Sequence, residues 1–380
     1  MVYDQAMRGR VRDDLVRLVH RGMSVEHYWR AVSDALDDAV PSAGTCLMTM
    51  DPATMLPTAE FVENGLTADS ISRLVDIELR EPDYTKWVDM ARARTAAASL
   101  SEATAGDLDL SRRQREVRHP GGYADELRVV LSSGTGTWGA LTVFRETGSP
   151  HFSLPEVRLL SSLTGLISDG LRRALLLDDA CADRPDTGML VLDPDDGVDL
   201  ANREAEHWVD ELGIGERAGT RLPLVIRSVA GQARAIADGR TQVAGIGLAR
   251  ARVRTRTGRW LIVRASLLGE GPPAPVAVLL EAARPAEMAP LLADMYGLTE
   301  REKRVTELVA QGLPTRQIAN RLHMAAYTVQ DHLKSIFAKS GTGSRGDLVA
   351  RLFFDQRATS LTAPDDLPLE SWTPRPAPGG

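Results

Sequence analysis

Residues 298–354 constrain the fold more tightly than any other stretch, because their apolar spacing and cap residues spell out four short helices in succession. Thr299 can cap a first helix while Glu302, three residues on, reaches back to its N–H, the reciprocal capping box. Val305, Leu308 and Val309 form the apolar stripe of that helix, and Gly312 suits the left-handed position that stops it. A second helix starts at Pro314 or Thr315, where a missing N–H is harmless, and buries Ile318, Ala319 and Leu322. After the turn His323-Met324-Ala325, a third carries Val329, Leu333 and Ile336 at i, i+4 and i+7. Thr328, Gln330, Asp331, Lys334 and Ser335 therefore face elsewhere. A fourth opens at Ser344, with Asp347 three residues later, and buries Leu348, Val349 and Leu352.

Two helices joined by a turn of about four residues, the second with a polar outer face, have the geometry of a helix-turn-helix reader. A small helical bundle of any purpose shares that spacing, so the identity of the residues matters. The segment resembles the DNA-binding domain of LuxR-family transcription regulators. Leu298, Thr299, Arg301 and Glu302 open the family pattern, and Gly312, Leu313, Ile318 and Ala319 continue it. Thr328, Val329 and His332 follow, then Ile336, Phe337, Lys339, Ser344, Arg345 and Leu348. The resemblance implies an all-α four-helix domain on double-stranded DNA. It implies base-edge contacts from Gln330, Asp331 and Lys334, and phosphate contacts from Arg316, Thr328 and Arg345. Lys donates to guanine O6 and N7, Gln pairs with adenine, and Asp accepts from cytosine N4. For each, a solvated helix face is the plain alternative.

The segment departs from the family at its caps. Ala325 and Pro314 stand where Ser usually caps, and a lost cap costs about 0.5–2 kcal/mol. Gly341-Thr342-Gly343 and Gly346 add backbone freedom, so a reader of thin stability is expected. Charge sets it apart: nine Lys/Arg stand against five Asp/Glu here, in a chain whose net charge is −7. Because one such domain covers only roughly 600–1,000 Å² of DNA, two copies on a repeated half-site are expected, hence a homodimer. RNA polymerase is left open as a further partner.

The preceding residues are too many for a tether, and 43% apolar with 26% charged residues is the usual globular balance. No apolar run reaches 18 residues and Met1-Val2-Tyr3-Asp4-Gln5 lacks a signal-peptide form, so no membrane role and a cytoplasmic location are expected. Cys46 and Cys181 are far apart and indicate neither a disulfide framework nor a zinc site.

Residues 10–178 begin with helical segments through Val11, Leu15, Leu18 and Val25–Leu36, then a strand-like Cys46–Met50 and a long helical middle. Glu126–Ser133 and Trp138–Arg145 form a hairpin about Gly134-Thr135-Gly136. A helix capped by Ser153 and Glu156 carries the stripe Leu160, Leu163, Ile167, Leu171 and Leu175, able to pack on the sheet and on a second protomer. This order resembles a GAF sensor domain. Residues 186–283 give strand Gly188–Leu192, the turn Asp193-Pro194-Asp195-Asp196-Gly197, then Val198–Ala201 leading to a helix at Asn202 and Ala205. Strands Ala249–Thr255, Trp260–Leu268 and Val276–Leu280 follow, an order similar to a PAS domain, with a generic α+β fold as the alternative. The expected architecture is multidomain: α+β sensor domains, GAF-like then PAS-like, before the all-α domain. Residues 284–297, with Pro285 and Pro290, read as a linker, and 355–380 as a disordered tail.

Catalytic signatures are thin, and the chain is not expected to be an enzyme. It has no Gly-x-x-x-x-Gly-Lys-Ser/Thr loop and no phospho-acceptor pattern. Asp195 and Asp196 read as turn formers, His207 beside Trp208 as a helix-surface histidine rather than a haem ligand, and Arg112-Arg113-Gln114-Arg115 as a solvated face. No cofactor or metal is indicated. A small molecule in a sensor domain predicts an apolar pocket, whereas control by a protein partner predicts filled pockets and an exposed apolar face.

Overall fold

The structure, a computed structural model, describes residues 2–63, 68–134, 136–176, 187–213, 222–239, 248–269 and 274–353. Cys181 and the tail from 355 lie outside the described residues.

The first unit runs α1 (Val2–Val19), α2 (Val25–Asp37), β1 (Gly44–Met50), β2 (Pro57–Glu63), α3 (Ala68–Arg80), α4 (Trp87–Arg92), β3 (Ala97–Ser99), α5 (Leu100–Ala103), β4 (Tyr123–Ser133), β5 (Gly136–Glu146) and α6 (Leu154–Ala174). Its antiparallel sheet has the order β2-β1-β5-β4-β3. The expected hairpin is β4–β5, and α6 begins with the Ser153–Glu156 capping box. The helical middle was too simple: β2 and β3 are the sheet's two edges, short and partly polar, and their alternation is weak in the sequence.

On one face of this sheet α1, α2 and α6 enclose Leu15, Trp29, Leu127, Leu160 and Ile167. The helices α2 and α6 approach so closely that a Cβ on Gly170 would stand 2.2 Å from the Tyr28 hydroxyl oxygen. That hydroxyl donates to Ile167 O at 2.9 Å. Leu160, Leu163, Ile167 and Leu171 are all buried in this way, with Leu175 partly buried against them. The stripe expected to meet a second protomer is therefore filled by the chain's own α1, α2 and sheet.

The second unit comprises β6 (Gly188–Leu192), β7 (Val198–Ala201), α7 (Arg203–Leu212), α8 (Leu224–Ala237), β8 (Arg250–Arg254), β9 (Trp260–Leu267) and β10 (Val276–Ala282). Its sheet order, β7-β6-β10-β9-β8, repeats the first sheet's path strand for strand. Asn202 caps α7, accepting from Ala205 N at 2.9 Å, and ties it to β6 by accepting from Met189 N at 2.8 Å. Asp196 takes a positive φ of 65° in the predicted turn and binds Arg234 at 2.5 Å. The units touch through α8, which packs on α3 and β2, and through Arg252 with Asp51 at 2.7 Å.

Residues 284–297 are not a plain linker. They form α9 (Pro285–Met295), with Pro285 in the first turn and Pro290 inside the helix. An interior proline usually breaks a helix, but Met288, Leu291 and Met295 are buried in the first unit's core, and that packing outweighs local preference. Ala293, on the same helix, belongs instead to the core of the last domain. That domain consists of α10 (Glu300–Ala310), α11 (Thr315–Arg321), α12 (Ala326–Ser340) and α13 (Arg345–Phe353), as the spacing predicts.

Candidate nucleic-acid interface

Val329, Leu333 and Ile336 sit inside the C-terminal core, and this fixes which side of α12 is free. Gln330, Asp331 and Lys334 project from it into solvent, with Asp331 66% and Lys334 80% exposed at their side chains. Lys334 Nζ lies 3.4 Å from Asp331 Oδ1, a weak exposed pair that a nucleic acid could displace. Tyr327, on the first turn of the same helix, is 70% exposed. Sequence reading passed over it, although an aromatic residue off the apolar stripe is a signal of its own.

Arg316 is exposed on α11, and Thr328 is half-buried at the start of α12. Arg345 is placed differently: it donates to Leu313 O at 3.1 Å and to Thr315 Oγ1 at 2.6 Å. It thus clasps the start of α11 to α13, where Pro314 offers no side-chain cap. The start of α12 is equally uncapped at Ala325, while Gly341, at φ 66°, closes the helix in the left-handed conformation.

The angle between α10 and α12 rests on Glu302. Besides completing the capping box with Thr299, its carboxylate accepts from Ser335 Oγ at 2.7 Å and from Lys339 Nζ at 2.6 Å. Burial would raise this carboxyl, but the hydrogen bonds from Lys339, Ser335 and Thr299 bring it down from 4.5 to about 2. A carboxyl lowered on folding contributes stability that is complete above its ordinary pKa and is lost as pH falls from 4.5 towards about 2. Glu302→Gln should therefore cost about 2 kcal/mol at neutral pH and flatten this acid dependence, read as hydrogen exchange in 298–353. An unchanged acid profile would remove Glu302 from this role.

The domain is held to the rest of the chain at α9. Arg172, near the end of α6, donates to Met295 O at 2.7 Å and Asp294 O at 3.3 Å, and so caps the end of α9. Lys303 on α10 pairs with Asp294, and Arg351 on α13 reaches the Tyr296 hydroxyl at 3.1 Å.

On the far face of the first sheet, the basic run expected to be solvated is so at Arg112 and Arg115, while Arg113 and Gln114 are buried. Arg113 is 1% exposed and contacts Glu126 at 2.5 Å and Asp83 at 3.2 Å. Arg118 and Arg128 meet the same Glu126 at 3.0 and 3.1 Å. Beside them lies a cavity of about 80 Å³ lined by Cys46, Met48, Trp87, Arg118, Arg128 and Phe144. That space suits a few waters rather than a drug-sized molecule. Burial pushes the Cys46 thiol up to about 12, so it is no nucleophile at neutral pH.

Residues 297–352 match the family described as bacterial regulatory proteins, luxR family. The segment is a LuxR-family helix-turn-helix domain. An HTH-type transcriptional regulator from the exeN 3' region of Aeromonas salmonicida is 36% identical over 94 residues, 25% of this chain and 46% of that protein. The nitrate/nitrite response regulator protein NarL of Escherichia coli K12 is 40% identical over 75 residues, 18% of this chain and 35% of its own. The chain thus spans less than half the length of these curated relatives, and the shared part is short. Among solved structures, the GAF domain of an Acinetobacter phosphoenolpyruvate-protein phosphotransferase covers 44% of this chain and 94% of its own at 16% identity, with a TM-score of 0.30. Among the described residues, no helix is long and apolar enough to cross a membrane, and no group of three or more His, Cys, Asp or Glu could hold a metal.

Proposed function

We propose that this protein is a cytoplasmic, sequence-specific transcription regulator whose two α+β units, GAF-like and then PAS-like in element order, control its LuxR-type domain. The observation that carries the reading is the free face of α12, where Gln330, Asp331 and Lys334 stand outward while the opposite face is locked in the core. Arg316 and Thr328 flank that face as phosphate contacts, and Arg345 serves first to position α11. Two copies reading a repeated half-site supply the affinity that one domain lacks. Control passes through α9, because that helix is shared by the sensor core and the reader core.

Selection of random DNA fragments by the full chain tests this, and a repeated motif is expected. Lys334→Ala should lose about 1–3 kcal/mol, roughly 5–150-fold in affinity, and relax one position of each half-site. Equal affinity with the same motif would take Lys334 out of the interface; no selection by either protein would sink the reader itself. A second mode of control, by a protein partner, is favoured by the exposed Met189, Val198 and Leu200 at the β6–β7 edge.

A further inference from the structure

A second cavity, of about 330 Å³, opens where the two α+β units and α9 meet. It is about four times the volume of the space beside Arg118 and falls in the range of small-molecule sites. Its apolar walls include Phe61 and Leu175 from the first unit, Trp260 from the second, and Leu291 from α9. Its charged groups are Arg252, Arg254 and Arg256 on and just beyond β8, facing Asp51 and Glu26.

The carboxylates are already satisfied. Asp51 accepts from Arg252 Nη2 at 2.7 Å, Arg252 Nε at 3.1 Å, Arg252 N at 2.7 Å and Ala53 N at 2.9 Å. Glu26 is paired with Arg30 at 2.7 Å. Arg254 donates to Gly258 O at 3.0 Å and to Leu175 O, which stiffens that wall, and its guanidinium lies 5.9 Å from the Trp260 ring centroid. Arg256 has an exposed side chain and makes no ion pair among the described residues. The lining therefore combines a cationic rim with aromatic and aliphatic walls.

We infer that this junction is a binding site for a small organic anion with a flat apolar body, its anionic group met by Arg256 beside Arg254 and its ring against Phe61, Trp260 and Leu291. The binding claim stands apart from DNA reading; only its consequence rests on the function proposed above. Because Leu291 lies on α9, an occupant would brace the helix that carries the LuxR-type domain, and it would act on that domain only by fitting one setting of α9 better than another.

The test uses the full chain and two fluorescent probes of nearly the same shape, anionic 8-anilino-1-naphthalenesulfonate and neutral N-phenyl-1-naphthylamine. One saturable site is expected, about tenfold tighter for the anion. Arg256→Glu, an exposed change, should abolish that preference without altering affinity for the neutral probe. Leu291→Trp should exclude both by filling the space, with circular dichroism reporting that the fold is kept. Equal affinity for the two probes, or an unchanged preference in Arg256→Glu, overturns the proposal. Neither measurement contains DNA, so a failed reader and a failed cavity site give different results.

Discussion

Glu126→Ala should destabilise the first unit by about 3–5 kcal/mol and lower its melting temperature by roughly 10 °C, which makes a surface-sparse carboxylate one of the costliest positions in the chain. Glu126 is 1% exposed and is the common partner of Arg113, Arg118 and Arg128. Arg128 also reaches Glu78 at 2.8 Å and stacks 4.1 Å over the Trp87 ring, while Arg118 lies 4.3 Å over Phe144. Among the described residues, removing the carboxylate leaves Arg118 without an anionic partner and Arg113 and Arg128 with only Asp83 and Glu78, where all three side chains are buried. Burial, with the neighbouring Arg128 and Arg113, pulls the Arg118 guanidinium down to about 10 in spite of the attraction of Glu126. For Glu126, burial would raise the carboxyl, but Arg113, Arg128 and Arg118 more than reverse this and hold it well below its ordinary 4.5. Its contribution is thus complete above the ordinary carboxylate range and is lost as pH falls below it. Thermal unfolding followed by tryptophan fluorescence checks both effects, since Trp87 and Trp138 lie in this unit. A shift under about 2 °C would mean that the arginines find other partners.

This cluster also marks where sequence reading runs out. An Arg-Arg-Gln-Arg run looks solvated because lone arginines are seldom buried, and nothing nearby in sequence announces the partners: Asp83 lies 30 positions from Arg113 and Glu126 lies 13. Periodicity served well where contacts are local. The four C-terminal helices, the β4–β5 hairpin and the α6 cap all rest on residues within a few positions of each other. It failed at 284–297, where two prolines argue against a helix that is stabilised by packing on the distant cores of the first unit and of the last domain. The stripe on α6 was legible as apolar and as packing on the sheet, but not that α1 and α2 would cover the side expected to meet a second protomer. For the reading face, the identities of Gln330, Asp331 and Lys334 were plain, whereas the inward clasp of Arg345 on Leu313 and Thr315 needed the path of the chain. The wide cavity was not legible at all, because its walls come from positions as distant as Phe61 and Leu291.

Ile336→Ala should remove DNA binding altogether, a larger loss than any single base contact could give. Ile336 is fully buried in the core that residues of α10, α11 and α13 share, and truncating such a residue costs about 2–5 kcal/mol. A domain this small buries little surface, and its margin is narrowed by the uncapped starts at Pro314 and Ala325. Part of its core is borrowed from Ala293 on α9, so the reader leans on the sensor for stability as well as for position. The expected signature is selective: DNA retention falls to background and residues 298–353 become open to proteolysis, while the unfolding of the first unit is unchanged. Lys334→Ala, by contrast, should weaken binding with the domain intact. Ala325→Ser restores a cap worth about 0.5–2 kcal/mol, and in the Ile336→Ala background it should recover part of the folded population and, in proportion, part of the DNA binding. Recovery of the fold without binding would show that Ile336 also sets the angle of α12. If Ile336→Ala alone kept affinity within twofold, the domain would have a stability reserve that its uncapped helices do not explain.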